Sequence, residues 1–283
     1  MRAEESQPGP RRHAVIESQR RLSGEDKGLT PSTTGAAQPL HPVLERFSRQ
    51  IPIIGVQGQY RLSSSSVLVV GAGGLGSPVI TYLTCAGVGR LVIVDGDRVE
   101  PSNLNRQFLY RESDIGRWKA LVAAERVREL NSGVRVEAYP ALLDESLARR
   151  LVPSVDLVVD ALDNWATRLI LNRVVVEEGV PLIHGGVDRM YGQVMTVLPG
   201  KTACLQCIAP RGAERIRGGA VLGPVAGVVG SIEALEAIRI LAGLGPSLAG
   251  QMLIVDCSGM VFEKIPVRRS PSCPVCGSKQ PSA

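Results

Sequence analysis

The stretch VLVVGAGGLGSP, residues 67–78, sets four apolar residues directly against a glycine-rich turn, and Asp95 closes the next apolar run, Leu91 to Val94. The apolar run before the glycines reads as a strand. Gly71, Gly73 and Gly76 fit G-x-G-x-x-G, Gly74 lies in the same turn, and Asp95 stands near the expected offset of about 20 residues. Glycines there let backbone N–H groups approach phosphates at a helix N-terminus. An Asp at the end of the second strand offers ribose hydroxyls two acceptor oxygens. The turn therefore points to a nucleotide without identifying it, and close packing of a strand on a helix would also require small residues here.

The loop that follows narrows the choice. It reads DGDRVEPSNLNRQFLYRESDIGRWKA, residues 95–120. Asn103, Arg106, Gln107 and Lys119 are hydrogen-bond donors placed to meet a triphosphate, and Asp97 and Ser102 share the loop. A dinucleotide site has no use for so many polar groups directly after the ribose Asp. Further on, DLVVDALDN ends a strand with Asp160, Asp163 and Asn164. Ligands of open α/β sheets sit at the carboxyl ends of the strands, where a carboxylate beside phosphates is a natural magnesium ligand.

Around these motifs the chain alternates. Strands are expected at 67–70, 91–94, 134–138, 155–159 and 181–184, with helices at 75–87, 117–130, 144–150 and 165–178. That order calls for a parallel, Rossmann-like sheet with right-handed crossovers. After Gly186, short β-prone runs at 191–198, 251–255 and 260–265 surround a helix near 226–243, the pattern of antiparallel strands continuing the same sheet. Leu44 and Phe47 suggest an amphipathic helix leading into the fold, whereas residues 1–42 are polar, Pro- and Ser-rich and expected to be a disordered tail.

Composition limits the function classes. The 283 residues carry 32 Lys and Arg against 27 Asp and Glu, a net charge of +5, with no basic run interleaved with aromatics. Nucleic acid is therefore not an expected partner. No secretory apolar region follows Met1, and the longest uncharged stretch, Gly218 to Ile232, is shorter than the ~20 residues a membrane helix needs. A cytoplasmic protein without membrane association is expected.

Of six cysteines, four form two C-x-x-C pairs, Cys204/Cys207 and Cys273/Cys276. Four thiolates in a cytosolic chain suit a tetrahedral structural zinc site that ties the C-terminus back to the strand near residue 197; redox pairs or simple thiols are the alternative. Cys85 and Cys257 lie in apolar runs and are expected to be buried.

Taken together, RQI at Arg49–Ile51, GAGGLGSP, DGDRVEPSNLNRQ, GRWKA, DALDN, CLQC and CPVCG resemble the ubiquitin-activating-like adenylyltransferases of the MoeB, ThiF and HesA type. The resemblance spans 43–277 and implies an ATP-binding adenylyltransferase domain with a zinc site, followed by a short tail at 278–283. It implies that Asp95 binds ribose, that Asn103, Arg106, Gln107 and Lys119 hold the triphosphate and adenylate, and that Asp163, with Asn164 beside it, is linked to magnesium. Arg49 matches an arginine that reaches a neighbouring subunit's ATP, which implies a homodimer. The catalytic set implied is Arg49, Arg106, Lys119 and Asp163, and the cofactors are ATP, Mg2+ and Zn2+.

The reaction implied is adenylation of the C-terminal carboxylate of a ubiquitin-like sulfur carrier ending in Gly-Gly, with a sulfur donor protein as a further partner. Many members of this family carry a cysteine before the GPV motif, but no cysteine lies between Cys207 and Cys257, so no enzyme thioester is expected. Residues 208–219 read as a mobile loop over the site. Adenylation of a peptide or another carboxylate, and a catalytically silent carrier-binding subunit, stand as alternatives; an NAD dehydrogenase would leave the cations and cysteine pairs without a role.

Overall fold

The apolar runs become adjacent strands because each is buried on both sides. A computed structural model describes residues 42–215 and 219–277; the expected tails at 1–42 and 278–283 lie outside the described residues except for Pro42, which opens a short helix. β1 (Ser66–Val70) pairs in parallel with β2 (Arg90–Val94) on one side and with β4 (Leu157–Asp160) on the other. β3 (Arg135–Tyr139) lies outside β2, and β5 (Leu182–Asp188) pairs in parallel with β4. β6 (Tyr191–Val197), β7 (Gln251–Asp256) and β8 (Val261–Pro266) then continue antiparallel. The result is an 8-stranded sheet in the order β3-β2-β1-β4-β5-β6-β7-β8. The expected parallel sheet with an antiparallel extension is the fold observed.

Alternate residues of each inner strand serve opposite layers. Val67, Val69, Leu91, Ile93 and Val159 pack with Val79, Ile80 and Leu83 of α3 (Gly76–Ala86), Val122 and Val127 of α4 (Lys119–Leu130), and Val229 of α8 (Gly223–Ala242), which follows the single turn α7 (Leu205–Ile208). Leu68, Val70, Val92 and Val158 face the other layer, with Leu147 and Leu151 of α5 (Glu145–Leu151) and Leu171 and Val175 of α6 (Trp165–Glu178). Full burial of such a side chain contributes about 1.5–3 kcal/mol, so a slip of one residue in any strand would disturb both layers. Asp144 and Asn164 cap α5 and α6 by accepting the N–H groups of Leu147 at 2.7 Å and Thr167 at 3.0 Å.

The N-terminal approach differs from the single helix expected. Pro42–Glu45 forms one short turn, α1, and the chain then re-enters helix at α2 (Ile51–Ser64). Gly55, at φ 73°, interrupts α2 with a left-handed residue. Leu44 is buried, and Phe47 lies against Gly87, the left-handed cap of α3, where an added Cβ would meet the ring at 2.4 Å.

Because β1 has β2 on one flank and β4 on the other, the loops leaving β1 and β4 diverge at their carboxyl ends and open a crevice. Their roots are in contact: a Cβ on Gly71 would lie 2.5 Å from the Ala161 carbonyl oxygen. Gly76 is tighter still, since its Cβ would come within 2.1 Å of the Gly71 oxygen. Gly76→Ala is therefore expected to lower stability by about 3 kcal/mol. Gly227→Ala in α8, where a Cβ meets nothing within 4 Å, is expected to be neutral or to raise stability by up to ~1 kcal/mol. Denaturant unfolding of the two variants measures the contrast.

Candidate functional site

The crevice holds a cavity of about 420 Å³. Gly71, Gly73 and Gly74 form its floor, Asp95 and Asp97 stand beyond β2, and Arg106, Gln107 and Lys119 come from the long loop and the start of α4. Asp163 and Asn164 close the side below β4. Thus ten of the residues singled out from the sequence converge on one cavity.

Each is held by its own local device. Asp95 braces the glycine turn, accepting the Ala72 N–H at 2.8 Å through one oxygen and the Asp97 N–H at 2.8 Å through the other. Burial pushes the Asp95 carboxyl above its ordinary range, against the pull of Lys119 and the two N–H groups. The Tyr110 hydroxyl donates to the Ala72 carbonyl at 2.6 Å from the opposite side. Lys119 is nearly sealed, its side chain only 7% exposed, and its ammonium is held 3.0 Å from the more open Asp97. Farther along the loop, the buried Asp114 accepts from Arg126 at 2.7 Å, Arg117 at 3.0 Å and the Arg111 N–H at 3.0 Å. Burial alone would raise the Asp114 carboxyl, but these bonds prevail and hold it below its usual range.

Besides Asp160, four sequence-selected residues do not line the cavity. Gly76 is there for packing, as its contact with Gly71 shows. Asn103 is buried and accepts the Glu100 N–H at 3.0 Å through Oδ1, bracing the 3₁₀ turn Pro101–Asn103. The Asn103 carbonyl then accepts the N–H groups of Arg106 and Gln107, the two residues that do reach the cavity. Ser102 is exposed, and its carbonyl takes the Arg106 Nη1 at 2.9 Å. Arg49 is exposed and stands outside the lining.

The site also contains groups that the linear motifs did not single out. Leu142 is 78% exposed and borders the cavity beside Gly96. Thr167 and Arg168 of α6 reach it from below. Beneath them lies a buried network: Asp160 contacts His184 Nδ1 at 2.8 Å and Arg168 Nε at 3.3 Å, and the far ring nitrogen of His184 lies 3.1 Å from Gln193 Nε2. Burial would raise the Asp160 carboxyl, but Arg168 and His184 hold it low. Burial and then Arg168 lower the His184 imidazole, which remains neutral. Asp160 at the end of its strand was the one sequence signal for this network; an arginine in the first turn of α6 gives none.

The part of the 208–219 loop within the described residues runs to Arg215 and resumes at Gly219. Gly219 and Val221 line the cavity, and the Arg189 N–H donates to the Ala220 carbonyl, tying this return to the β5–β6 hairpin. Ile216 and Arg217 lie outside the described residues.

A second cluster lies in the layer beneath α6. The sulfur atoms of Cys204, Cys207, Cys273 and Cys276 lie within 4.8 Å of one another, with Cys204–Cys273 at 3.7 Å and Cys207–Cys276 at 3.4 Å. A tetrahedral metal with sulfur at about 2.3 Å requires sulfur separations of about 3.8 Å, so the set fits one ion. Burial drives the Cys204 thiol up, whereas at Cys273 the N–H groups of Cys276 and Val275 outweigh burial and bring it to about 7. Cys257 packs partly against the core, but Cys85 is exposed, contrary to the burial expected of it. On α3 its neighbours Thr84 and Ala86 turn inward and leave Cys85 on the outer face.

With this geometry established, relationships to known proteins become informative. Residues 47–275 match the ThiF family, and the chain belongs to that family. It is 45% identical over 248 residues to the sulfur carrier protein adenylyltransferase of Thermus thermophilus, across 83% of this chain and 92% of that protein. It is 46% identical over 241 residues to the SAMP-activating enzyme E1 of Haloferax volcanii, across 83% of this chain and 89% of that protein. Its fold is also similar to Escherichia coli MccB solved with AMPCPP and MccA, with a TM-score of 0.74 and 25% identity over 82% of this chain and 74% of that one. Among the described residues, no helix is long and apolar enough to cross a membrane.

Glu233 on α8 is fully buried against Gly185, and neither of its carboxyl oxygens has a hydrogen-bond partner among the described residues. Burial, and next the charge of Asp160, push this carboxyl well above the ordinary range, so Glu233 is a neutral acid in the fold. In the unfolded chain it ionises normally. Its contribution is therefore intact below the ordinary Glu value and is lost as pH rises, by up to about 1.4 kcal/mol per pH unit. Glu233→Gln is expected to gain on the parent as pH rises above the ordinary Glu value in denaturant unfolding; parallel pH profiles would show that Glu233 is ionised in the fold.

Proposed function

We propose that this chain adenylates the C-terminal carboxylate of a ubiquitin-like sulfur carrier ending in Gly-Gly, using ATP and releasing pyrophosphate. The observation that carries this reading is the convergence of the glycine turn, Asp95, the cations Arg106 and Lys119, and the exposed Asp163 on one cavity. The names of the relatives at 45% and 46% identity support the carrier as the substrate class.

The chemistry suits the residues. A C-terminal carboxylate, with a pKa of about 3.5, is already ionised at neutral pH and attacks the α-phosphate without a general base. His184, sealed and bonded to Asp160, is not available as one. What the attack requires is alignment and neutralisation of charge on the departing pyrophosphate. Arg106 and Lys119 supply fixed positive charge, Asp95 receives the ribose hydroxyls, and the open backbone at Gly73 and Gly74 admits phosphate. The buried Gln107 has an Oε1 without a partner among the described residues at the cavity wall, a polar atom suited to a ligand. Asp163, with Asn164 beside it, would hold Mg2+, which would add positive charge at the phosphates.

Arg49 is read as acting across a homodimer: it is exposed, outside its own chain's cavity, and precedes α2, which exposes Ile53, Val56 and Tyr60. With no cysteine from 208 to 256, the adenylate passes to a sulfur donor protein without an enzyme thioester. The protein is read as cytoplasmic.

ATP–pyrophosphate exchange tests the reading. Exchange dependent on a Gly-Gly carrier is expected, with a loss of at least ~100-fold in Asp163→Ala. Exchange driven by short peptides and by no Gly-Gly carrier would instead favour peptide adenylation, the reading that the likeness to MccB supports.

The four-cysteine cluster is read as a structural zinc site. One zinc per chain is expected in freshly purified protein, and Cys273→Ser is expected to lose the metal and to unfold at lower temperature. Metal analysis and thermal unfolding check both.

A further inference from the structure

Asp163 is exposed, and among the described residues its side chain has one hydrogen-bond contact, the Asn164 amide at 3.5 Å. Its placement must therefore come from the backbone. That backbone is gripped at successive peptide groups. The Leu162 N–H donates to Asp160 Oδ1 at 3.1 Å, and the Leu162 carbonyl accepts from Arg168 Nη2. The same Nη2 donates to the Gly185 carbonyl on β5 at 2.8 Å, while Arg168 Nε meets Asp160. On the far side of Asp163, the Asn164 cap fixes the start of α6.

We infer that Asp160 and Arg168 are positioning residues that clamp the Leu162 peptides and so fix where Asp163 stands. His184 completes the clamp. Donating Nδ1–H to Asp160 leaves Nε2 as the acceptor for the Gln193 amide, a consistent chain of donors from β6 through β5 to β4. The turn that carries Asp163 is thereby referenced to both halves of the sheet. A buried ion pair is weak as a source of stability, because desolvation offsets its attraction. What Asp160 and Arg168 provide that apolar residues cannot is bonds to both sides of Leu162. The inference rests on the proposed role of Asp163 only for its effect on catalysis.

Arg168→Lys separates positioning from charge. The ammonium keeps its attraction to Asp160 but cannot reach the Leu162 and Gly185 carbonyls together in the guanidinium geometry. Hydrogen exchange on the ligand-free protein is expected to accelerate roughly tenfold across 161–164, with β1 and β2 unchanged. In pyrophosphate exchange, the Mg2+ concentration for half-maximal rate is expected to rise roughly tenfold while the KM for ATP holds. Unchanged protection across 161–164 would overturn the inference, as would a fall in rate with no change in Mg2+ dependence. If Arg168→Lys does not fold, Asp160→Asn is read by the same two measurements against the same outcomes. Asp163→Ala with the clamp intact isolates the other premise: normal exchange of pyrophosphate there would remove Asp163 from the reaction, while the hydrogen-exchange result would still judge the clamp.

Discussion

The carbonyl oxygen of Gly71 occupies space that a side chain at position 76 would need, and the backbone of Gly71 itself abuts the Ala161 carbonyl. The loop after β1 and the loop after β4 can converge only through this three-way approach of main chain. Widening it by one methyl group would part the glycine floor from the turn bearing Asp163. The cavity is thus a consequence of backbone proximity at a point where the strand order reverses, and the charged side chains around it are mounted on that frame.

Charge in the site is divided by depth. Two of the cations that line the cavity are restrained by partial partners: Lys119 by a largely exposed Asp97, and Arg106 by a carbonyl and an amide oxygen. Neither is locked into a fully buried pair, so each retains capacity for an anionic ligand. Asp160, Arg168 and His184, by contrast, are satisfied by one another, by Gln193 and by the Leu162 and Gly185 backbone, and they act on the site through the shape of the turn above them. Glu233, buried beside them without a hydrogen-bond partner among the described residues, has its carboxyl pushed well up by burial.

The cysteine cluster has a separate mechanical part. Cys204 and Cys207 follow β6, whereas Cys273 and Cys276 follow β8, so any bond among the four sulfurs closes the antiparallel half of the sheet onto the layer formed by α6. The Leu205 N–H donates to Asn172 of α6 at 2.8 Å, which ties the first pair to the helix that begins directly after Asp163 and Asn164. The cluster and the cavity therefore share α6 as a common support.

Periodicity and short motifs carried the architecture, because strands buried on both faces must be continuous apolar runs and crossover helices must alternate with them. The glycine turn, Asp95, Arg106, Gln107, Lys119 and Asp163 were legible for the same reason: each belongs to one unbroken stretch whose chemistry is local. What lay beyond the sequence depended on contacts between distant residues. Whether Asn103 or Gly76 meets a ligand or braces a neighbour follows from which backbone passes close by, and Cys85 is exposed because α3 turns its neighbours inward. The set of Asp160, Arg168, His184 and Gln193 comes from three strands and one helix, and no spacing along the chain encodes it. Strand pairing sets Asp160, His184 and Gln193 side by side and the packing of α6 adds Arg168, contacts fixed by the whole fold and not by the neighbours of a residue in sequence.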